Sequence, residues 1–123
     1  MTKRILVIED TEDNRQILGD LLSSAGYELI EAMDGLEGVA TAEREQPDLI
    51  LMDIQLPGID GYEATRRIRK IPALAKVPII AVTSYALSGD EAKTREAGCD
   101  GYVAKPYSPR QLLAKIREFL PPE

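Results

Sequence analysis

Five short apolar runs, spaced almost evenly and separated by stretches of helical period, constrain this chain more than any other feature. They are Ile5-Leu6-Val7-Ile8, Leu29-Ile30, Leu49-Ile50-Leu51-Met52, Val77 to Val82, and Tyr102-Val103-Ala104. Strand starts near residues 4, 28, 49, 77 and 101 give steps of 24, 21, 28 and 24 residues. Each step holds one strand, one helix and two short loops, which is the repeat of an α/β fold. At 123 residues the chain fits one domain, and it shows no internal repeat, low-complexity segment or linker.

The helices are marked by period and by caps. Ile17, Leu18, Leu21, Leu22 and Ala25 fall on one face and stop at Gly26, a C-terminal glycine. Asp34 with Glu37, Asp60 with Glu63, Ser88 with Glu91, and Ser108 with Gln111 have the spacing of an N-cap and its reciprocal partner. Pro109 then opens the last helix, where its missing N–H costs nothing. That helix is expected to bury Leu112, Leu113, Ile116, Phe119 and Leu120 and to end before Pro121-Pro122.

The first, third and fourth runs are apolar on both faces, as strands covered by helices above and below must be. Glu28-Leu29-Ile30-Glu31 alternates, and the fifth run is short and opens with Gly101, so these two are the expected edges. Right-handed crossovers then favour a doubly wound parallel sheet of order 2-1-3-4-5. Strands 1 and 3 become neighbours whose connections leave to opposite sides. Ligands bind at the carboxyl ends of such a pair.

Composition removes several chemistries. The formal charge is −6, which disfavours phosphate backbones and anionic lipid as partners. There is no histidine, hence no imidazole acid–base chemistry, no His-ligated metal and no phosphohistidine on the chain itself. The single cysteine, Cys99, makes neither an internal disulfide nor a zinc cluster, and suits a reducing, cytoplasmic setting. No run approaches the length of a membrane span, and Met-Thr-Lys-Arg leads directly into the first strand with no signal peptide.

The residues just past the strand ends suggest the chemistry. Glu9-Asp10 come after strand 1, Asp53 after strand 3, Thr83-Ser84 after strand 4, and Lys105-Pro106 after strand 5. Each has a bland reading alone: an acid capping a helix, a turn hydroxyl, a solvated lysine. Asp53 is harder to dismiss, because it directly succeeds a four-residue apolar strand and precedes Ile54 rather than a helix. The topology collects all of them on one rim, with Asp10 beside Asp53 and Glu9 close by. Packed carboxylates repel, and a shared divalent cation relieves them; oxygen donors without His or Cys point to Mg²⁺. Such an ion, with Lys105 and Thr83 meeting further oxygens, equips Asp53 as a nucleophile toward phosphorus.

The stretches VIEDTEDNRQIL, LILMDIQLPGIDGYEATRRIR and IIAVTSYALSGDEAKTREAGCDGYVAKP resemble the receiver domain of bacterial two-component response regulators over about residues 3–120. The chain is similar to stand-alone regulators of the cell-division type, a single receiver with no output domain. The central stretch is also typical of receivers fused to hybrid sensor kinases. The resemblance implies a flavodoxin-like (βα)5 sandwich and a phosphorelay role without turnover enzymology. It implies Asp53 as phosphoacceptor, and Asp10, Asp53 and the Gln55 backbone carbonyl as Mg²⁺ ligands, with Glu9 holding metal-bound water. Thr83 resembles the switch hydroxyl, Tyr102 the switch aromatic and Lys105 the phosphate-binding lysine, with a cis Lys105–Pro106 peptide. Glu9 stands where many members have Asp, and Gln55 and Tyr85 flank the path of hydrolytic water. The implied partners are a sensor histidine kinase or histidine phosphotransfer protein and a downstream target, with a phosphorylation-dependent dimer left open and neither nucleic acid nor membrane involved.

Three other readings compete with this one. Haloacid dehalogenase-type phosphohydrolases share the Asp, Mg²⁺, hydroxyl and lysine set, but need an acid where this chain has Gln55. A flavin carrier needs a phosphate loop after strand 1, where this chain has Glu9-Asp10-Thr11-Glu12-Asp13. A receiver that signals without phosphorylation has no need of the complete set. Outside the rim, Tyr27 and Tyr62 read as packed rings, Arg66, Arg67, Arg69 and Lys70 as a solvated helix face, and Cys99 as a small packed residue in a loop.

Overall fold

The three most apolar runs lie in the middle of the sheet. In the computed structural model, which describes residues 2–83 and 90–120, β1 (Arg4–Ile8), β3 (Leu49–Asp53) and β4 (Ile79–Thr83) are flanked by β2 (Glu28–Ala32) and β5 (Gly101–Ala104). All pairs are parallel, in the order β2-β1-β3-β4-β5. Every residue of β3 and β4 is buried, whereas β2 exposes Glu28 and Glu31 and β5 buries only Val103. The edges are where the alternation of polar and apolar residues puts them.

Side chains alternate across this sheet into two cores. Leu6, Ile8, Ile50, Met52, Ile79 and Ala81 face one side, under α2 (Gly35–Glu45), α3 (Gly61–Arg69) and α4 (Asp90–Ala97). Ile5, Val7, Leu49, Leu51 and Ile80 face the other, under α1 (Glu12–Ser24) and α5 (Pro109–Phe119), whose Leu18, Leu22, Leu112 and Ile116 complete it. Each fully buried Leu or Ile contributes roughly 1.5–3 kcal/mol, so a sheet covered on both faces dominates the stability.

Caps set where the helices begin. Asp34 accepts from the Glu37 amide at 2.8 Å and Asp60 from the Glu63 amide at 2.9 Å. Ser108 and Gln111 form a reciprocal box, at 3.1 and 2.8 Å, with Pro109 at the first helical position. The Ser88–Glu91 pairing falls partly outside the described residues, and Ser84, Tyr85 and the Pro121-Pro122 stop fall wholly outside them. At the other end of α1, Gly26 takes φ +93, the left-handed region that favours glycine.

The structure corrects two expectations and softens a third. Ile17 does not join the buried stripe of α1: its residue surface is 64 % exposed, because the buried side of the helix is set by Leu18, Gly19 and Leu22. Leu21, Leu113 and Phe119 are half-buried at the margin of the same core. Arg69 is not a solvated charge like Arg66 and Arg67, which pair with Glu63 at the surface. Its guanidinium donates to the carbonyls of Gly98 (2.9 Å), Leu74 (3.0 Å) and Val77 (2.6 Å) and pairs with Asp100 at 2.7 Å. Asp100 also accepts from the Ile79 amide at 3.0 Å, so one arginine ties the end of α3 to the starts of β4 and β5. A short 3-10 turn, Pro72–Leu74, supplies one of those carbonyls and has no counterpart among the sequence expectations.

Candidate functional site

Strand register builds the site. Ile8 pairs with Met52, Asp53 with Val82 and Thr83 with Ala104, so Glu9, Asp53, Thr83 and Lys105 leave adjacent strands at the same level. Glu9 and Asp53 are 2 % and 5 % exposed, while Asp10 lies on the exposed rim. One carboxylate oxygen from each of the three lies within 4.8 Å of the others.

Local structure holds each acid in place. The Glu9 amide donates to the Ala32 carbonyl at 3.1 Å, carrying the chain from β1 toward the end of β2. The Glu9 carboxylate accepts from the Thr11 amide at 3.2 Å and from Asn14 Nδ2 at 3.1 Å, and Arg15 donates to the Glu9 carbonyl at 2.8 Å. The first turn of α1 thus folds back onto the acid that precedes it. Sequence pattern does not single out Asn14 and Arg15, although their place in that turn is the signal that points to them.

Asp53 Oδ1 accepts from the Gln55 amide at 3.0 Å. The loop after β3 is pinned by Ile54 N to Val82 O at 3.0 Å and by Gly61 N to Ile54 O at 2.9 Å. Glycine is required at Gly61, because a Cβ there would stand 2.5 Å from the Asp53 carbonyl and 2.6 Å from Ile54 Cα, both backbone atoms. The start of α3 therefore presses directly on the strand end that carries the acid.

Lys105 reaches in from β5. Its amide donates to the Thr83 carbonyl at 2.7 Å, and its ammonium lies 3.4 Å from both Glu9 Oε1 and Asp53 Oδ2. The Lys105–Pro106 peptide is cis. Thr83 is fully buried and accepts from Gln55 Nε2 at 3.0 Å. Tyr102 is half-buried and lines a surface groove with Pro106, Gln111 and Lys115.

Electrostatics reflect the crowding. A hydrogen bond shared with Glu9, burial, and the charge of Glu9 push the Asp10 carboxyl above its ordinary value, and neither a backbone hydrogen bond nor the charge of Lys105 offsets them. Tyr107, two residues past Lys105, is likewise raised, by burial first and then by the charges of Glu9 and Asp53. The Lys105 ammonium meets two of the three carboxylates. Such a cluster is poised for added positive charge.

The Cys99 thiol plays no part here. It is buried beside Thr65 Oγ1 at 3.7 Å, and burial pushes it up to about 11. Tyr27 and Tyr62 are half-buried and pack against the two cores.

Comparison with known proteins places this geometry in a family. Residues 5–117 match the response regulator receiver domain. The chain is 42 % identical over 120 residues to the polar-differentiation response regulator DivK of Brucella ovis, covering 98 % of each. Among solved structures it is similar to the receiver domain of the sensor histidine kinase PA1611 from Pseudomonas aeruginosa, which has a magnesium ion coordinated in its active-site cleft. That match has a TM-score of 0.90, 39 % identity and 98 % coverage of both chains. It is also similar to the Vibrio cholerae chemotaxis protein CheY4, with a TM-score of 0.92, 27 % identity, and coverage of 97 % of this chain and 99 % of that one. The doubly wound sheet, the ring of acids at its switch point and these matches give one conclusion: the chain belongs to the response regulator receiver domains.

Proposed function

We propose that Asp53 accepts a phosphoryl group from a phosphohistidine protein in a Mg²⁺-dependent reaction, and that the modified rim changes which proteins the domain binds. The observation that supports this best is the convergence of Glu9, Asp10 and Asp53 oxygens within 4.8 Å, with the Lys105 ammonium 3.4 Å from two of them.

The donor set fits a hard divalent cation, because it is all oxygen, strongly acidic and, among the described residues, opposed by the Lys105 ammonium. Asp10, Asp53 and the Gln55 carbonyl would hold Mg²⁺ directly, and Glu9 through water. When bound, the ion supplies positive charge that offsets carboxylate repulsion and stabilises phosphoryl oxygens.

The chain's own residues do the rest. A carboxylate oxygen of Asp53 forms the O–P bond as the P–N bond of the donor breaks, and the nitrogen's electron pair leaves with the imidazole. Lys105 is within reach of one phosphoryl oxygen from its present position beside Asp53. Thr83 offers a hydroxyl to another. This chain carries no histidine, so the phosphohistidine lies outside residues 1–123, on a sensor kinase or a phosphotransfer protein.

Phosphorylation brings close to a dianion to the rim. Drawn toward it, Thr83 vacates space that Tyr102 fills, and the surface of α4, β5 and α5 changes its preference for a downstream target. The domain acts as a carrier of one phosphoryl group rather than as an enzyme with turnover. Among the described residues no helix is long and apolar enough to cross a membrane, and the buried free thiol supports a cytoplasmic setting.

Incubation with acetyl phosphate and Mg²⁺ tests the reading. The expected result is a gain of one phosphoryl group, mapped to Asp53, absent without Mg²⁺ and absent in Asp53→Asn. Modification of another residue, or steady hydrolysis of a phosphate ester, would overturn it.

A further inference from the structure

Gln55 makes two hydrogen bonds that meet at the heart of the rim. Its backbone N–H donates to Asp53 Oδ1 at 3.0 Å, and its side-chain Nε2 donates to Thr83 Oγ1, also at 3.0 Å. One residue therefore holds both the carboxylate on β3 and the hydroxyl at the end of β4, 28 residues apart from it in sequence.

Gln55 is itself firmly placed. Its neighbours Ile54 and Leu56 are 4 % and 8 % exposed, and the Leu56 amide closes onto the Ile54 carbonyl at 3.2 Å. Ile54 is tied in turn to Val82, the residue before Thr83, at 3.0 Å. Thr83 is fully buried, so a hydrogen bond to its hydroxyl is not readily exchanged for one to water.

We infer that the Gln55 carboxamide is a latch that holds Thr83 in its resting position, so that the switch of Thr83 and Tyr102 must break this bond. The inference rests on the reading of Asp53 and Thr83 given above and adds a residue that biases the resting balance. A hydroxyl offers one proton and two lone pairs. The Gln55 amide engages a lone pair, so the latch restrains the position of Thr83. When Asp53 carries a phosphoryl group, the charge-assisted bond from the Thr83 hydroxyl competes with a neutral amide bond and wins.

Removing the latch should therefore raise the active population in the absence of phosphorylation. A buried neutral hydrogen bond is typically equivalent to about a three- to tenfold change in a two-state equilibrium. Gln55→Met keeps the length of the side chain, deletes the donor and leaves the backbone N–H and carbonyl in place.

The experiment tracks the amide resonances of Tyr102 and Val103 in the Mg²⁺-loaded domain, along the line from the resting state to the beryllofluoride-saturated state. In Gln55→Met without beryllofluoride these resonances should report an active-to-resting ratio about three- to tenfold higher than in the native sequence. In a Thr83→Ala background the same substitution should move them no further. An unchanged position in Gln55→Met, or an equal displacement with and without the Thr83 hydroxyl, would overturn the latch while leaving the phosphoacceptor reading intact. A native domain whose Tyr102 ignores beryllofluoride would overturn the latch together with the Thr83–Tyr102 switch.

Discussion

At the scale of single residues, burial decides which reactive groups are available. Glu9 and Asp53 sit in a nearly water-free position, where backbone and side-chain donors and the Lys105 ammonium surround them. Cys99 is also buried, and there burial outweighs the Thr65 hydroxyl and the charge of Arg69, so its thiol is pushed up to about 11 from the usual 9.0. An unfolded thiol ionises near 9.0 while the native one keeps its proton to about 11, so unfolding releases a proton in that window and stability falls as pH rises through it. The loss specific to this group is about 2–3 kcal/mol by the upper end of the window. Urea unfolding at several values of pH checks it: the native sequence should lose stability more steeply than Cys99→Ala above pH 9. The native thiol should also resist a disulfide reagent at pH 8 until the chain is unfolded.

At the scale of elements, the site depends on how closely α3 approaches β3. Gly61 begins that helix against the Asp53 carbonyl and Ile54 Cα, which are backbone atoms rather than the ends of flexible side chains. Gly61→Ala is expected to destabilise the fold by about 1–3 kcal/mol and to displace the loop that carries Gln55. Chemical denaturation measures the first effect. Slower phosphorylation of Asp53, measured where the variant is still folded, reports the second. The same closeness explains why the cap at Asp60 matters to chemistry some residues away: it sets the start of α3, and so the path of the chain back to Ile54. Opposite the site, Arg69 performs a comparable service by tying α3 to the starts of β4 and β5. Its planar fork meets three carbonyls and a carboxylate, a geometry that lysine lacks.

At the scale of the whole molecule, a parallel sheet buried on both faces makes the middle strands the most stable part. Amides of Leu51, Met52, Ile80 and Ala81 should exchange with solvent only through global unfolding, whereas those of β2 and β5 exchange through smaller openings. Native-state hydrogen exchange checks this, and fast exchange in β3 would refute it. The gradient suits the proposed switch, since Tyr102 lies in the edge strand and Lys105 just past it, while Asp53 lies in the central strand. The charge is also uneven. Glu12, Asp13, Asp20, Glu28 and Glu31 gather along α1 and β2 and are all exposed, which keeps the open edge of the sheet from pairing with another chain.

Much of this architecture is legible in the amino acids alone. Runs such as Leu49–Met52 are apolar on both faces and Glu28–Glu31 alternates, so solvation sorts centre from edge, and the handedness of crossovers orders the strands. Asp10, Asp53, Thr83 and Lys105 are readable from their places at strand ends. What periodicity does not carry is the identity of a distant neighbour. That Arg69 folds inward while Arg66 stays in water, that Ile17 leaves the core stripe, and that Gln55 reaches Thr83 all depend on which element lies alongside. Local sequence sets which way a side chain faces, because backbone geometry repeats every two or 3.6 residues. Only packing between elements far apart in the chain decides what it meets there.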